Sequence, residues 1–553
     1  MARNQNLPRI RHGNLLCRAG TSITGENHTM KRSAPLQPCL VLTIFILGVL
    51  TVGCGGTKLL DPPGAATVSV LPTQNPLVAN YTVLTGLACP GQVMIQFGPD
   101  ASYGRNTAWY AVPASRHAST ILVAGMKAST TYHMRAQVQE ICPDAINTLV
   151  SADTTFTTGA LPSLPFPSLS VSRPNPSPSS SENPGIEMVD IVNPGVPALF
   201  TDRDANPIWY YDVGQGNFPY TYKLLPNGHM ILSITLAGFN SLLREVDLSG
   251  KTIREMYVAA LGQKMQSAGY DFAPTAYHHD LLPLTNGHVI VLTYFTKDFT
   301  DLPGYPGTTS VVGDGIIDLD ENWNPVWAWN SFDHLDVNRH LNGLPDWTHS
   351  NALVYSAADG NLILSMRHQS WVLKIEYNNG AGAGDVLWKL GYQGDFSLAQ
   401  GSDPSLWFSF QHFPSIVTQS GRQTTLSIWD NGDNRVLDVT GTTCGTDPLF
   451  TPCYSRATVF ELDESTMSAN LLWDNLPGEF SFWGGSINQL ANGNVEFDIN
   501  APSPPPSPTL GSEIHEVTRD SPPQLVWVLD IDAFNAYRAY RVPSLYPDVS
   551  WQY

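Results

Sequence analysis

From Lys223 onward the chain repeats one local pattern: a short apolar strand, a turn built on Asn-Gly or Asp-Gly, and a second apolar strand. KLLPNGHMILSI, HDLLPLTNGHVIVLTYF, ALVYSAADGNLILSMRH and NQLANGNVEFDIN are four such first halves. The second halves are LLREVDLSGKTIREM, GIIDLDENWNPVWAW, VLKIEYNNGAGAGDVLWKL, ATVFELDESTMSANLLWD and HEVTRDSPPQLVWVLD, each with turn residues between two alternating strands. A four-stranded unit recurring every several tens of residues is the signature of a β-propeller; a two-sheet sandwich does not repeat this way. Counting the early NPIWYYD strand as part of a first unit closed by the C-terminal YRAYRVPSL stretch gives about six blades. Gly 45, Pro 43, Trp 14 and Tyr 21 agree with many turns between aromatic-rich short strands, which favours an all-β protein.

A chain of 553 residues has room for two units. From 65 to 159 it alternates apolar and polar residues in short runs (ATVSVLP, QVMIQFGP, TTYHMRAQVQE), with Tyr132 placed to cap an interstrand corner. This region resembles a fibronectin type III-like β-sandwich. Residues 160–184, dense in Pro and Ser, read as an extended linker, and 185–553 as the propeller. Ahead of all this, Met30-Lys31-Arg32, the apolar run Leu40–Val52 and Gly53-Cys54-Gly55-Gly56 read as a signal peptide over 30–53. Residues 1–29 read as an extension upstream of the true start. Cys54 stands at a lipoprotein cysteine's position, although Thr51-Val52-Gly53 lacks the usual leucine. A plain cleaved signal and an uncleaved anchor are the alternatives, the second disfavoured because a bilayer span needs about 20 residues. Export to the periplasm, or lipid anchoring at the cell envelope, is expected. Cys17 and Cys39 fall in segments that the mature protein would lose. Of the remaining cysteines, Cys89 with Cys142 and Cys444 with Cys453 make the simplest disulfides, leaving Cys54 as the odd thiol.

Lys+Arg 29 against Asp+Glu 48 gives a net charge of -19, with no basic run for a phosphate backbone; nucleic acid is not an expected partner. The chemistry-bearing residues gather instead at the entries of the repeated strands: His279, His349 and His412, with Arg367 after the second strand of the His349 unit. On a propeller these would converge on one mouth. Imidazoles bind metals, but a guanidinium in the same pocket opposes a cation and welcomes an anion; no metal and no cofactor are expected. Adjacent side chains of a strand face opposite ways, so of the pairs His278/His279 and Arg367/His368 only His279 and Arg367 are expected to line the pocket, with His278 and His368 packing or supporting loops. Asn351 returns to the face of His349 as a second anion donor. Trp347, Phe408, Phe410 and Trp483 are candidate aromatic walls. DNGDNR at 430–435 reads as a tight turn rather than a calcium loop.

HHD at 278–280, DWTHSN at 346–351, SMRHQ at 365–369, QH at 411–412 and DNGDNR together resemble the bacterial arylsulfate sulfotransferase family, with Arg367 following His349 at the family's spacing. The resemblance covers the chain from about Val189 to its end. It implies a six-bladed propeller behind an N-terminal β-domain, and transfer of a sulfuryl group from a phenolic sulfate ester to a phenol without a nucleotide sulfate donor. It also implies roles: His412 as the transiently sulfated histidine, His279 as acid/base, and His349, Asn351 and Arg367 as holders of the sulfuryl oxygens. Ping-pong kinetics would follow. The sequence departs from the family in its second cysteine pair, which lies after His412 instead of before it. Partners are then an aryl sulfate donor and a phenolic acceptor, with membrane contact only through a lipid anchor; a homodimer is left open.

The principal rival is a noncatalytic exported propeller that binds anionic ligands or proteins. A hydrolytic sulfatase is disfavoured, because CYSRA after Cys453 has Ser where the C/S-x-P-x-R nucleophile pattern needs Pro.

Overall fold

The computed structural model describes residues 67–115, 118–174, 181–238, 240–445, 451–501 and 511–552. The expectations for 1–29, the signal peptide at 30–53 and lipidation at Cys54 lie outside the described residues. Among these no helix is long and apolar enough to cross a membrane. The chain is all-β: α-helix is confined to Val258–Ser267 and Ser331–His334 among the described residues.

Two sheets form from the N-terminal region. One pairs Val68–Pro72, Ala79–Val83 and Ser119–Val123; the other is centred on Gly91–Gly98 and Thr131–Cys142. The second strand of that centre alternates, so Tyr132, Met134, Ala136 and Val138 turn inward together, joining Tyr81, Val83, Ile121 and Val123 in one apolar cluster. The Tyr132 hydroxyl accepts from the Lys127 backbone N–H at 2.9 Å, closing a corner. Disulfides join Cys89 to Cys142 and Cys444 to Cys453.

The stretch at 160–184 does more than link. Ser168–Ser172 pairs antiparallel with Leu525–Asp532. Its serines alternate with Leu169 and Val171, which pack against a cluster containing Ile514 and Trp527, so the segment has the period of an edge strand despite its composition.

Six sheets follow. Sheet I orders Pro207–Tyr211, Ala198–Thr201, Ile186–Ile191 and the C-terminal Ala536–Val542. Sheet II runs through Phe218–Leu224, Met230–Thr235, Ser241–Val246 and Thr252–Tyr257; sheet III through Ala276–Pro283, Val289–Leu302, Tyr305–Leu319 and Pro325–Asn330. Sheet IV comprises Ser350–Ser356, Asn361–Met366, Trp371–Ile375 and Val386–Leu390. Sheet V is built on His412–Ser420, Gln423–Asp430, Arg456–Asp463 and Ser468–Asn475, and sheet VI on Ile487–Gln489, Val495–Asn500, Gly511–Val517 and Leu525–Asp532. From sheet II to sheet VI the first strand of each lies beside the first strand of the next, and Val495–Asn500 lies beside Ala536–Val542 of sheet I.

Strand periodicity explains this stacking. In Val289–Leu302, Val289 and Val291 join a cluster with Ile231 and Leu243 of sheet II, while Ile290 and Leu292 join one with Leu362 and Leu364 of sheet IV. Between Leu362 and Leu364, Ile363 faces the other way, toward Leu426 and Phe460 of sheet V. Each sheet is therefore apolar on both faces, and each such side chain contributes about 1.5–3 kcal/mol by leaving water.

The repeated turn has one construction. Asn227, Asn286, Asp359 and Asn492 each accept from the backbone N–H two residues on, at 2.9, 3.1, 3.2 and 3.0 Å. The intervening Gly228, Gly287, Gly360 and Gly493 take φ between 72° and 91°, where a side chain would be strained.

Candidate active site

Three successive sheets begin their first strands irregularly. Pairing slips between Tyr277 and Leu281 in sheet III, between Ser350 and Ala352 in sheet IV, and between His412 and Ser415 in sheet V. His279 and His349 both sit at φ 49°, and Phe410 and Phe413 flank His412 at 53° and 46°. A bulge re-aims side chains and bends its strand, and a non-glycine residue at positive φ costs roughly 1–3 kcal/mol. That strain is concentrated where the histidines converge.

All five sequence-selected residues come together. The His279 ring lies 4.7 Å from that of His349, and His412 and His279 flank the Tyr537 ring at 5.9 and 5.5 Å. Arg367 rests on the Phe410 ring at 5.1 Å and donates to the Phe482 carbonyl at 2.8 Å, and its Nε has no hydrogen-bond partner among the described residues. Asn351 is fully buried and donates one amide hydrogen to the Gln411 carbonyl at 2.8 Å, so it also ties sheet IV to sheet V. His349 is held by Asp346 at 2.6 Å and is part-exposed, which puts it toward solvent, while His412 is 1% exposed.

His412 is the best-defined group. Asn431 donates through Nδ2 to the carbonyls of Ser481 and Gly484 at 2.7 and 2.9 Å, which turns its Oδ1 toward His412 Nδ1 at 2.7 Å. Nδ1 is then the donor, and the lone pair of the neutral ring is on Nε2. Burial, with the Arg367 charge next, holds the His412 pKa well below the ordinary imidazole range. Burial and His349 do the same for His279.

Neither neighbouring pair, His278/His279 or Arg367/His368, lies on the regular extended strand that the opposite-face expectation assumes, although His278 and His368 are both buried. The bulge at 277–281 brings His278 Nδ1 to 2.8 Å from His279 Nδ1 and lays the His278 ring flat on Tyr294 at 3.6 Å. Arg367 and His368 lie in a 3-10 turn, Arg367–Gln369, not on a strand. His368 accepts from Arg367 at 2.8 Å and stands 4.5 Å from the His349 ring. Of the proposed aromatic walls, Phe410 and Trp483 reach the site, Trp483 by stacking on Tyr537. Trp347 stacks on Phe332, and Phe408 packs on Trp407 and Phe460.

Asn431, Tyr220, Tyr294, Tyr537 and Arg538 were not selected from the sequence. DNGDNR does make a turn, with Gly432 at φ 84° and Arg435 on Asp430 at 2.8 Å. A signal for Asn431 did exist: it stands one residue past Gln423–Asp430, the strand whose Trp429 pairs with His412. Tyr537 and Arg538 carry no local signal, since they reach the site only when Ala536–Val542 joins sheet I.

Asp346, His349 and His368 lie close enough to share a cation, but the donor set does not fit one. His368 Nδ1 donates to the Asp346 carbonyl at 2.8 Å and its Nε2 accepts from Arg367, so neither nitrogen offers a lone pair. Burial pushes the pKa of that ring down to about 4. The site thus brings together a neutral imidazole and a guanidinium.

Residues 195–526, more than half of the chain, match the family Arylsulfotransferase (ASST). The chain belongs to the arylsulfotransferase family. Membership supports aryl sulfotransferase activity in general terms, with a sulfate donor and an acceptor as substrates. No curated protein matches the sequence. Solved structures with some likeness include a dihydro-heme d1 dehydrogenase (13% identity, TM-score 0.29, covering 68% of this chain and 80% of that one). An ulvan lyase is another (10% identity, TM-score 0.27, covering 57% and 80%). Similarity this slight carries no argument for the arylsulfotransferase.

Proposed function

We propose that this arylsulfotransferase moves a sulfuryl group from a phenolic sulfate ester to a phenol, by a ping-pong route through a sulfohistidine at His412. The observation that carries the reading is the orientation of His412, whose Nδ1–H is held by Asn431 so that the neutral Nε2 is the nucleophile. In the first half-reaction the Nε2 lone pair forms a bond to sulfur as the bond from sulfur to the aryl oxygen breaks, and a phenolate leaves. In the second, the acceptor oxygen takes the sulfuryl group, and the N–S electrons return to Nε2. Sulfuryl transfer spreads charge over three oxygens, so, as in phosphoryl transfer, positioning and positive donors do most of the work. Arg367, His349 and the second amide hydrogen of Asn351 supply them. His279 is the acid/base that supplies the proton for the leaving phenolate and later takes up the one the acceptor loses.

In this reading sheets I–VI are the blades of a six-bladed propeller over 185–553, and 65–159 is a fibronectin type III-like sandwich. The succession of neighbouring first strands and the joining of Ala536–Val542 to sheet I support it. The disulfides support an exported protein, with the periplasm or a lipid-anchored envelope position as its site of action.

The test is nitrophenol release from 4-nitrophenyl sulfate, with and without phenol and with no nucleotide donor. Phenol-dependent release with phenyl sulfate formed, and one SO3 of added mass on the peptide containing His412, is the expected result. No release with any of several phenols would favour the noncatalytic anion-binding alternative.

A further inference from the structure

The two ring nitrogens of His279 are both engaged. Its Nε2 is 3.0 Å from the Tyr220 hydroxyl and its Nδ1 2.8 Å from His278 Nδ1. His278 Nε2 in turn lies 3.3 Å from Asp314 Oδ1, within ion-pair distance. Neither of those last two atoms has a hydrogen-bond partner among the described residues, although both residues are buried. Tyr220 is part-exposed, whereas His279, His278 and Asp314 are 3%, 1% and 0% exposed. The open end of the row is therefore the Tyr220 hydroxyl, and the closed end is a carboxylate.

The supports of this row are fixed. Asp314 Oδ2 accepts from the Ser350 backbone N–H at 2.7 Å, next to His349, and the flat stacking on Tyr294 sets the plane of His278. A buried carboxylate with one oxygen so held and the other facing an imidazole stabilises a proton on that imidazole.

We propose that Tyr220, His279, His278 and Asp314 form a proton relay that serves the acid/base step, resting on the sulfohistidine reading above. In the acceptor half-reaction the phenol O–H gives its proton to the Tyr220 oxygen as the Tyr220 proton passes to His279 Nε2. The His279 Nδ1 proton passes to His278 Nδ1. His278 is left as an imidazolium facing the Asp314 carboxylate, and the acceptor oxygen is left with the electron pair that attacks sulfur. In the donor half-reaction every transfer reverses: the departing phenolate oxygen takes the Tyr220 proton, and the row returns to neutral imidazoles. The row is neutral in the sulfated enzyme and carries one proton from the acceptor half-reaction to the next donor half-reaction, so none is gained or lost over the cycle. Tyr220 is the member that touches substrate; His278 and Asp314 are positioning residues.

The first half-reaction isolates the relay. The measurement is the burst of phenol released on sulfation of His412, without acceptor, from 4-nitrophenyl sulfate and from phenyl sulfate, whose phenolate is far more basic. For Tyr220→Phe and Asp314→Asn, the expected loss grows with leaving-group basicity, from a few-fold with 4-nitrophenyl sulfate to roughly 100-fold with phenyl sulfate. Equal losses on both donors, or none, overturn the relay while leaving the sulfohistidine intact. If the wild type gives no burst from either donor, the sulfohistidine reading fails and the relay with it. Should Asp314→Asn not fold, Tyr220→Phe alone carries the same comparison.

Discussion

The two ends of the first strands in sheets II to VI are made differently. At one end, sheets II, III, IV and VI turn into their second strands through the same Asx-Gly construction, down to the acceptor and the positive-φ glycine. At the other end, sheets III, IV and V begin with register slips, and non-glycine residues hold positive φ. The regular end performs one task repeatedly, reversing the chain, and one solution serves. The irregular end performs a different task in each sheet, supplying His279 from III, His349 from IV and His412 from V. Strain is tolerated there because packed sheets on both sides over-determine the backbone.

Breaking the irregular end should abolish chemistry and spare the fold. His412→Ala is expected to lower sulfuryl transfer at least 10³-fold, with no burst and no added mass at that peptide, while the unfolding temperature stays close to wild type. Asn431→Leu should cost roughly 10–100-fold in the burst rate by releasing the tautomer, as loss of an orienting partner does. A burst at the wild-type rate would remove Asn431 from the mechanism. Breaking the regular end should do the reverse. Gly287→Ala places a side chain at φ 88° and is expected to lower stability by about 1–2 kcal/mol, read by denaturant unfolding, with turnover at 25 °C unchanged. The smallest effect sharpens the comparison through pH. The pKa values of His412 and His279 are lowered by burial, so both rings stay neutral as pH falls through the ordinary imidazole value of about 6.5. The burst rate should be flat across that value and decline only well below it; a half-maximal point near 6.5 would contradict the buried, neutral nucleophile.

Legibility in the sequence divides along the same line. The Asn-Gly repeat is a local signal with a local cause, so the four turns and the strands beside them were readable, as was the joining of YRAYRVPSL to the NPIWYYD sheet. The entry histidines were readable because they recur at equivalent places. The neighbour rule assumes an extended strand, and a bulge or a 3-10 turn cancels that assumption at His278 and His368 without announcing itself in composition, although both side chains are buried in packing and loop contacts. The Pro/Ser stretch misled for the opposite reason: its composition hides the period-two placement of Leu169 and Val171. Tyr220 and Tyr537 were out of reach because what makes them functional is a neighbour supplied by another sheet.

The strand Ala536–Val542 has a consequence for the life history of the enzyme. It brings Tyr537 between His279 and His412, and Arg538 onto Asp280 at 2.9 Å and the Asn351 carbonyl. It is also the last strand in chain order among the described residues. During synthesis His279, His349 and His412 are all made before the strand that gives them their environment. A chain clipped before Ala536 would lack the Tyr537 ring between His279 and His412 and the Arg538 contacts, so the histidine cluster is walled only when this strand closes sheet I.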